Sequence, residues 1–270
     1  MVRLADVVPP IALGPLDGRY RATVAPLVDH LSEAALNRTR IAVEVEWVIY
    51  LTGHDVVPGA PRLTAADEAY LRAVPEAFGA DEIAELAEIE RTTVHDVKAV
   101  EYFVKRRLAA APAATALPNV GELVHFALTS EDVNNLCYAL MVRGAVQGVW
   151  LPAATALADQ LAAMADEHRA LPMVALTHGQ PATPTTLGKE LAVLAHRLRR
   201  QLRRIAADEV LGKLNGATGT FGAHLAAVPG ADWQQVSRGF VEHLGLVWNP
   251  LTTQIESHDW QAELYADVAR

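Results

Sequence analysis

Between Ser32 and Leu51 the apolar residues Ala34, Leu36, Ile41, Val43, Trp47 and Leu51 recur at spacings near three and four, the period of a helix with one buried face. Thr64 and Asp67 then stand at the spacing of a capping box, and they predict the start of a second helix that Pro75 should end or kink. Ala80 to Ile89 and His95 to Leu108 read as two further helices. The proline- and alanine-rich stretch from Pro112 to Pro118 interrupts the pattern, and the first domain boundary is expected there, giving domains 1–118 and 119–270. Beyond it the predicted helices lengthen: Ser130 to Val149, Pro152 to His168 and Pro184 to Leu211, joined by short Pro- or Gly-containing connections. Long helices with short joints imply an antiparallel bundle. No alternating β-branched run is long enough for a large sheet, although Leu171 to Leu176 suits a short extended piece. The fold class expected is therefore all-α. The last segment, Asp259 to Arg270, is periodic and helix-like but carries neither cap nor breaker, so the domain is expected to continue past Arg270.

Composition narrows the function more than the fold. Half the residues (51%) are hydrophobic and only 6% aromatic, a mixture that supports a sizeable core built from helices. The formal net charge of −9 gives nucleic acid no electrostatic footprint, while leaving room for a small anion held in a local site. Cys137 is the single cysteine, so internal disulfides are excluded. Met1 to Pro10 lacks the basic and apolar regions of a secretory signal, and no stretch approaches the roughly 18 apolar residues of a spanning helix. A soluble cytoplasmic protein without membrane contact is the expectation. The ten histidines include no H-E-x-x-H, and no cysteine pair has zinc spacing, so neither a metal nor another cofactor is expected. His196 to Arg204 (HRLRRQLRR) is locally basic, but it lies in a long predicted helix of an acidic chain, where a solvated face or inter-helix pairing explains it.

Several segments carry candidate chemistry. In Leu176 to Pro184 (LTHGQPATP), His178 precedes Gly179 in a tight loop expected to feed a helix starting at Pro184. An imidazole there can act as a general acid near neutral pH, or merely satisfy backbone groups. In Glu90 to Lys98 (ERTTVHDVK), His95 and Asp96 open a helix, where a carboxylate suits the positive end of the dipole. In Leu128 to Asn135 (LTSEDVNN), Thr129 and Ser130 bring hydroxyls and free N–H groups to a helix start, a ready site for carboxylate or phosphate. The same residues are also explained by a Thr129–Asp132 capping box with no ligand. Asp17-Gly18-Arg19-Tyr20 is a turn presenting a guanidinium and a phenol, and Thr252 to Ile255 offers the amide of Gln254. Lys213 to Gly222 (KLNGATGTFG) lacks the Gly-Lys-Ser/Thr ending of a P-loop and reads as a close-approach loop between helices.

In this order, DGRY, ERTT-x-HDVKAVEYF, HFA-x-TSED-x-NN, THGQPATP and TTQIE resemble the adenylosuccinate lyases of the fumarase/aspartase superfamily, and they span Asp17 to Glu256. Gly179 and the following Gln180-Pro181-Ala182-Thr183 point to the adenylosuccinate branch, since its sister lyases usually place leucine after that histidine. The resemblance implies a small helical domain followed by a long-helix bundle, assembled as a homotetramer acting on a nucleotide. It implies elimination of fumarate from adenylosuccinate to give AMP, and from the succinylated carboxamide ribotide of purine synthesis. By the same resemblance His178 is the general acid; Arg19, Tyr20, Val94, His95 and Asp96 hold the nucleotide; Thr129, Ser130 and Gln254 hold the succinyl carboxylates. Val94 stands where this branch usually has asparagine. The Ser-Ser-x-Met-Pro-x-Lys-x-Asn segment that carries the family's catalytic base does not occur among these 270 residues, so the chain by itself is expected to be inactive. A sister fumarate-releasing lyase and a non-catalytic helical scaffold remain as alternatives.

Overall fold

The computed structural model describes residues 14–112 and 115–270. The reading of Met1 to Pro10 lies outside the described residues, as do positions 113 and 114 of the expected proline-rich break. The chain divides into two compact units, residues 1–143 with 210–257, and residues 144–209 with 258–270. The boundary expected at Pro118 falls inside the first unit.

The first unit opens with α1 (Arg21–Leu31) and α2 (Glu33–Gly53). Ser32 starts α2 by accepting the Ala35 N–H on its hydroxyl, at 3.0 Å. The helix predicted from periodicity is thus present, and it supplies the centre of the core: Ile41, Val45, Trp47, Val48 and Leu51 are all buried. Helix α3 (Ala65–Glu76) has the predicted capping box, with the Asp67 carboxylate accepting from Thr64 N–H at 2.9 Å and the Thr64 hydroxyl accepting in return. Pro75 sits in its last turn, as expected of a residue that cannot continue the ladder. Helices α4 (Ala80–Thr93) and α5 (Asp96–Ala109) follow, then a 3₁₀ turn (Leu117–Leu123) and α6 (Ser130–Ala145). After residue 210 the chain returns to this unit through β3 (Leu211–Gly212), a short α9 (Gly222–Ala227), α10 (Trp233–His243) and β4 (Val247–Trp248), with β3 and β4 parallel. Phe240 of α10 meets Trp47 edge-on at 4.8 Å between ring centres, while the Trp47 indole N–H donates to Phe126 O at 3.1 Å. Helix α10 of the returning segment therefore closes a core that α2 began.

The second unit is built from α7 (Leu151–Glu167), α8 (Leu187–Ala207) and α11 (Asp259–Ala269). Two sequence expectations need correction here. Pro152 does not separate helices: a π-helical run, Val146–Trp150, joins α6 to α7 and leads into Pro152, whose missing N–H interrupts the regular ladder there. Nor does a helix begin at Pro184. Residues Pro172–Thr177 (β1) and Gln180–Thr186 (β2) pair as an antiparallel hairpin, and α8 starts at Leu187 with Thr186 capping it. The extended piece expected from Leu171 is the first strand of that hairpin. Gly188 lets α7 and α8 meet, since a Cβ there would run into the backbone of Ala165 and Arg169. Arg199 bonds Asp159 of α7 at 2.8 Å and Arg204 forks onto Asp267 of α11 at 3.1 Å, so part of the basic run serves inter-helix pairing. Among the described residues no helix is long and apolar enough to cross a membrane, and no cluster of three or more His, Cys, Asp or Glu is placed to hold a metal.

Candidate active site

His178 occupies the tip of the β1–β2 hairpin in the second unit. Its φ of 48° and the 74° of Gly179 are both left-handed, the geometry of a two-residue type I′ turn whose twist matches the paired strands. Glycine adopts such a conformation freely, but for histidine it is a strained choice that the flanking pair Thr177–Gln180 must hold. The result is an exposed imidazole at the end of a short hairpin.

The remaining sequence candidates all lie in the first unit. Arg19 and Tyr20 are exposed in the turn that leads into α1, with the Arg19 guanidinium 5.6 Å from the Tyr20 ring centre, a stacked cation. Val94 ends α4 in the left-handed region (φ 51°) and is 88% exposed. His95 caps α5: its Nδ1 accepts the Lys98 N–H at 3.2 Å. With Nδ1 acting as acceptor, a neutral His95 must carry its proton on Nε2, where it is available as a donor. Asp96 is tied on both oxygens, Oδ1 to the Val97 N–H at 2.8 Å and Oδ2 to Arg40 at 2.7 Å. Burial by itself would raise the Asp96 carboxyl, yet the Val97 N–H and the Arg40 guanidinium together hold it below the ordinary carboxylate value. Arg40 is itself buried and also bonds Asn134 and Asn37, at 2.9 and 3.0 Å.

Thr129 and Ser130 are half-buried at the start of α6. The Thr129 hydroxyl accepts from the amide of Gln254 at 3.3 Å, which brings two of the three carboxylate-binding candidates into contact although 125 positions separate them. Asp132 accepts the Thr129 N–H at 3.0 Å, so its half of the expected capping box is present. Just upstream, His125 (φ 59°) and Ala127 (φ 60°) make two left-handed turns in three residues. The fully buried Glu44 carboxylate holds that bend by accepting both the His125 N–H (2.8 Å) and its ring (2.6 Å). Burial alone would lower the His125 imidazole, but the bond and charge of Glu44 raise it above its usual value.

Sequence reasoning missed Glu44, Arg40, Asp132 and Lys213, which are buried and bonded directly behind these candidates. One signal was available. Glu44 interrupts the apolar stripe of α2 between Ile41, Val45 and Val48, and a charge on a core face demands a partner. The loop that begins at Lys213 does make the close approaches read from its glycines: a Cβ on Gly219 would run into Thr252 O.

Comparison with known proteins identifies the family of the chain. The model of a family described as Lyase matches residues 18–270. The chain is 47% identical over 259 residues to the adenylosuccinate lyase of Escherichia coli strain K12, and 45% identical to that of Haemophilus influenzae. Each match covers 96% of this chain but 56% of the relative, so the chain spans little more than half the length of these curated proteins. Among solved structures, a fumarate lyase from Mesorhizobium sp. BNC1 matches with a TM-score of 0.68 and 21% identity, over 90% of this chain and 53% of that one. A β-carboxy-cis,cis-muconate cycloisomerase from Acinetobacter calcoaceticus sp. ADP1 matches at 0.67 and 20% identity, again over 90% and 53%. At such identity these two speak for the helical fold alone. A family model matched over residues 18–270 makes this chain a member of the Lyase family, similar within it to the adenylosuccinate lyases.

Proposed function

We propose that this chain contributes the acid and most of the substrate contacts of an adenylosuccinate lyase, which releases fumarate from adenylosuccinate and from the succinylated carboxamide ribotide of purine synthesis. In this reading residues 1–118 form the amino-terminal domain and 119–270 the first part of the central bundle of a cytoplasmic homotetramer. His178 protonates the departing nitrogen. Arg19, Tyr20, His95 and Asp96 meet the nucleotide, with Val94 beside them. Thr129, Ser130 and Gln254 meet the carboxylates, where negative charge grows as the carbon-bound proton leaves and fixed donors at a helix start are worth most. The observation that carries the reading is the Thr129–Gln254 contact at the head of α6. Two segments far apart in sequence converge there with the hydroxyls of Thr129 and Ser130, an amide and helix N–H groups.

The test is binding first and turnover second. The 270-residue chain, labelled with ¹⁵N, is titrated with fumarate and with AMP while the amides of Thr129, Ser130, His95 and Asp96 are followed. Fumarate is expected to shift the first two and AMP the second two, with no loss of adenylosuccinate absorbance because the base-bearing segment is not in this sequence. Absence of any shift at millimolar ligand would overturn the substrate assignment, and robust turnover would overturn the division of labour.

A further inference from the structure

The glycine-rich loop from Lys213 has no part in the chemistry above, yet its first residue is a fully buried charge. Both Lys213 and Asp132 are wholly inaccessible, and Lys213 Nζ lies 2.8 Å from Asp132 Oδ1. An ion pair removed from water this completely persists only when every remaining lone pair is used. Here they are. Besides Lys213, the Asp132 carboxylate accepts the N–H groups of Thr129 (3.0 Å), Asn215 (3.0 Å) and Gly216 (3.1 Å). Asn135, one turn further along α6, grips the backbone of Lys213 from both sides, accepting its N–H at 2.8 Å and donating to its carbonyl at 3.0 Å. The Asn215 amide reaches on to the Thr252 hydroxyl at 2.7 Å, and Gln254, two residues later, returns to Thr129. The contacts close a ring: Thr129, Asp132, the 213–216 loop, Thr252, Gln254, Thr129.

This ring does two things for a carboxylate site at the head of α6. It fixes the Thr129 backbone and the strand of loop that carries Gln254, so the donors are in place before a ligand arrives. It also removes an electrostatic obstacle. Glu131 and Asp132 both lie in the first turn of α6, where unpaired carboxylates would repel a dianion as strongly as they favour the helix dipole. Pairing with Lys213 cancels one of them. We propose that Asp132 and Lys213 are positioning residues of the dicarboxylate subsite formed by Thr129, Ser130 and Gln254, acting through the hydrogen bonds of the ring and through charge cancellation, without touching the ligand. The proposal rests on the functional reading above and names the machinery behind it.

The experiment uses the 270-residue chain with fumarate as the probe, reading dissociation constants from the Thr129 and Ser130 amide shifts, and hydrogen exchange at the Thr129, Asn215 and Gly216 amides. The double variant Asp132→Asn with Lys213→Met removes both buried charges together, so no lone charge is left to unfold the protein. It is expected to remain folded by circular dichroism, to lose exchange protection at those three amides, and to bind fumarate about 10- to 100-fold more weakly, the range seen when groups that orient a site's ligands are removed. AMP-dependent shifts at His95 and Asp96 should be unchanged. A folded double variant that binds fumarate as the parent does would overturn the positioning role and leave the functional reading standing. Should the double variant fail to fold, Asn215→Ala, which opens the ring by removing the amide bond to the Thr252 hydroxyl without changing any buried charge, must show the same selective loss; parental fumarate affinity there would also refute the proposal. A parent chain with no fumarate shift defeats the functional reading itself, and the positioning role with it.

Discussion

Val94 is the position where local structure and residue type disagree most openly. It closes α4 at φ 51° and ψ 31°, with its N–H still bonded to Glu90 O at 2.8 Å. A Cβ in the left-handed region crowds the adjoining carbonyl and costs about 1–2 kcal/mol, more for a β-branched residue, whereas asparagine enters it readily and glycine almost freely. The side chain is 88% exposed, so no packing compensates and none is lost on substitution. Val94→Asn should therefore stabilise the protein by about 1 kcal/mol. Val94→Gly should gain slightly less, because glycine gives back about 0.4–1 kcal/mol through the greater freedom of its unfolded chain. In a cooperative unit of about 150–250 residues, 1 kcal/mol raises Tm by about 2–4 °C. Urea unfolding followed by circular dichroism measures it directly: the midpoint should rise with an unchanged slope, and Val94→Ile, which keeps the strain, should not move it. If both asparagine and glycine lower the midpoint, the strain argument is wrong and Val94 makes a contact that its exposure conceals.

Two further outcomes follow from buried groups. His125 is raised by Glu44 in the folded state, so its contribution to stability is full below an unfolded-state value of about 6.5 and is lost as pH climbs through the raised folded value. His224, lowered first by burial, contributes with the opposite sign, its share being full above about 6.5 and lost as pH falls from there through the lowered folded value. Stability measured from pH 6.5 to 8.5 should consequently fall more steeply in the parent than in His125→Gln, and parallel slopes would show that the Glu44 pair does not persist in solution. Gly188→Ala puts a methyl group against the Ala165 carbonyl and should destabilise the second unit by about 1–3 kcal/mol, read as an earlier thermal transition. An unchanged transition would mean that α7 and α8 are free to separate there.

What could be read from the sequence was whatever depends on neighbours in the chain. The Ser32, Thr64 and His95 caps sit at the expected starts of α2, α3 and α5, because a cap is settled within four residues. The hairpin was legible only in its first strand. Pro181 and Pro184 read as helix punctuation, whereas Pro184 lies opposite Val174 and Pro181 opposite Leu176, across an irregularity in the ladder. His-Gly is also a less obvious type I′ turn than Asn-Gly. The support of the candidate site was not legible at all. Asp132 explains itself locally as a capping residue, and nothing within its own helix announces a lysine 81 positions away.

The same ring that joins Thr129, Lys213 and Gln254 has a consequence for the order of events during synthesis. The bonds that tie α6 to the later segments of the ring span 78 to 125 positions, and residues 144–209, which belong to the other unit, emerge between them. The head of α6 is made early but cannot be completed until residue 254 has left the ribosome, long after the hairpin and α8 have had time to form. At about 5–20 residues per second, the 41 positions from Lys213 to Gln254 alone amount to several seconds of waiting, with Thr129 still without its Gln254 partner. A nascent chain halted near residue 209 should therefore expose this segment to proteases and chaperones, and one carried past residue 257 should not.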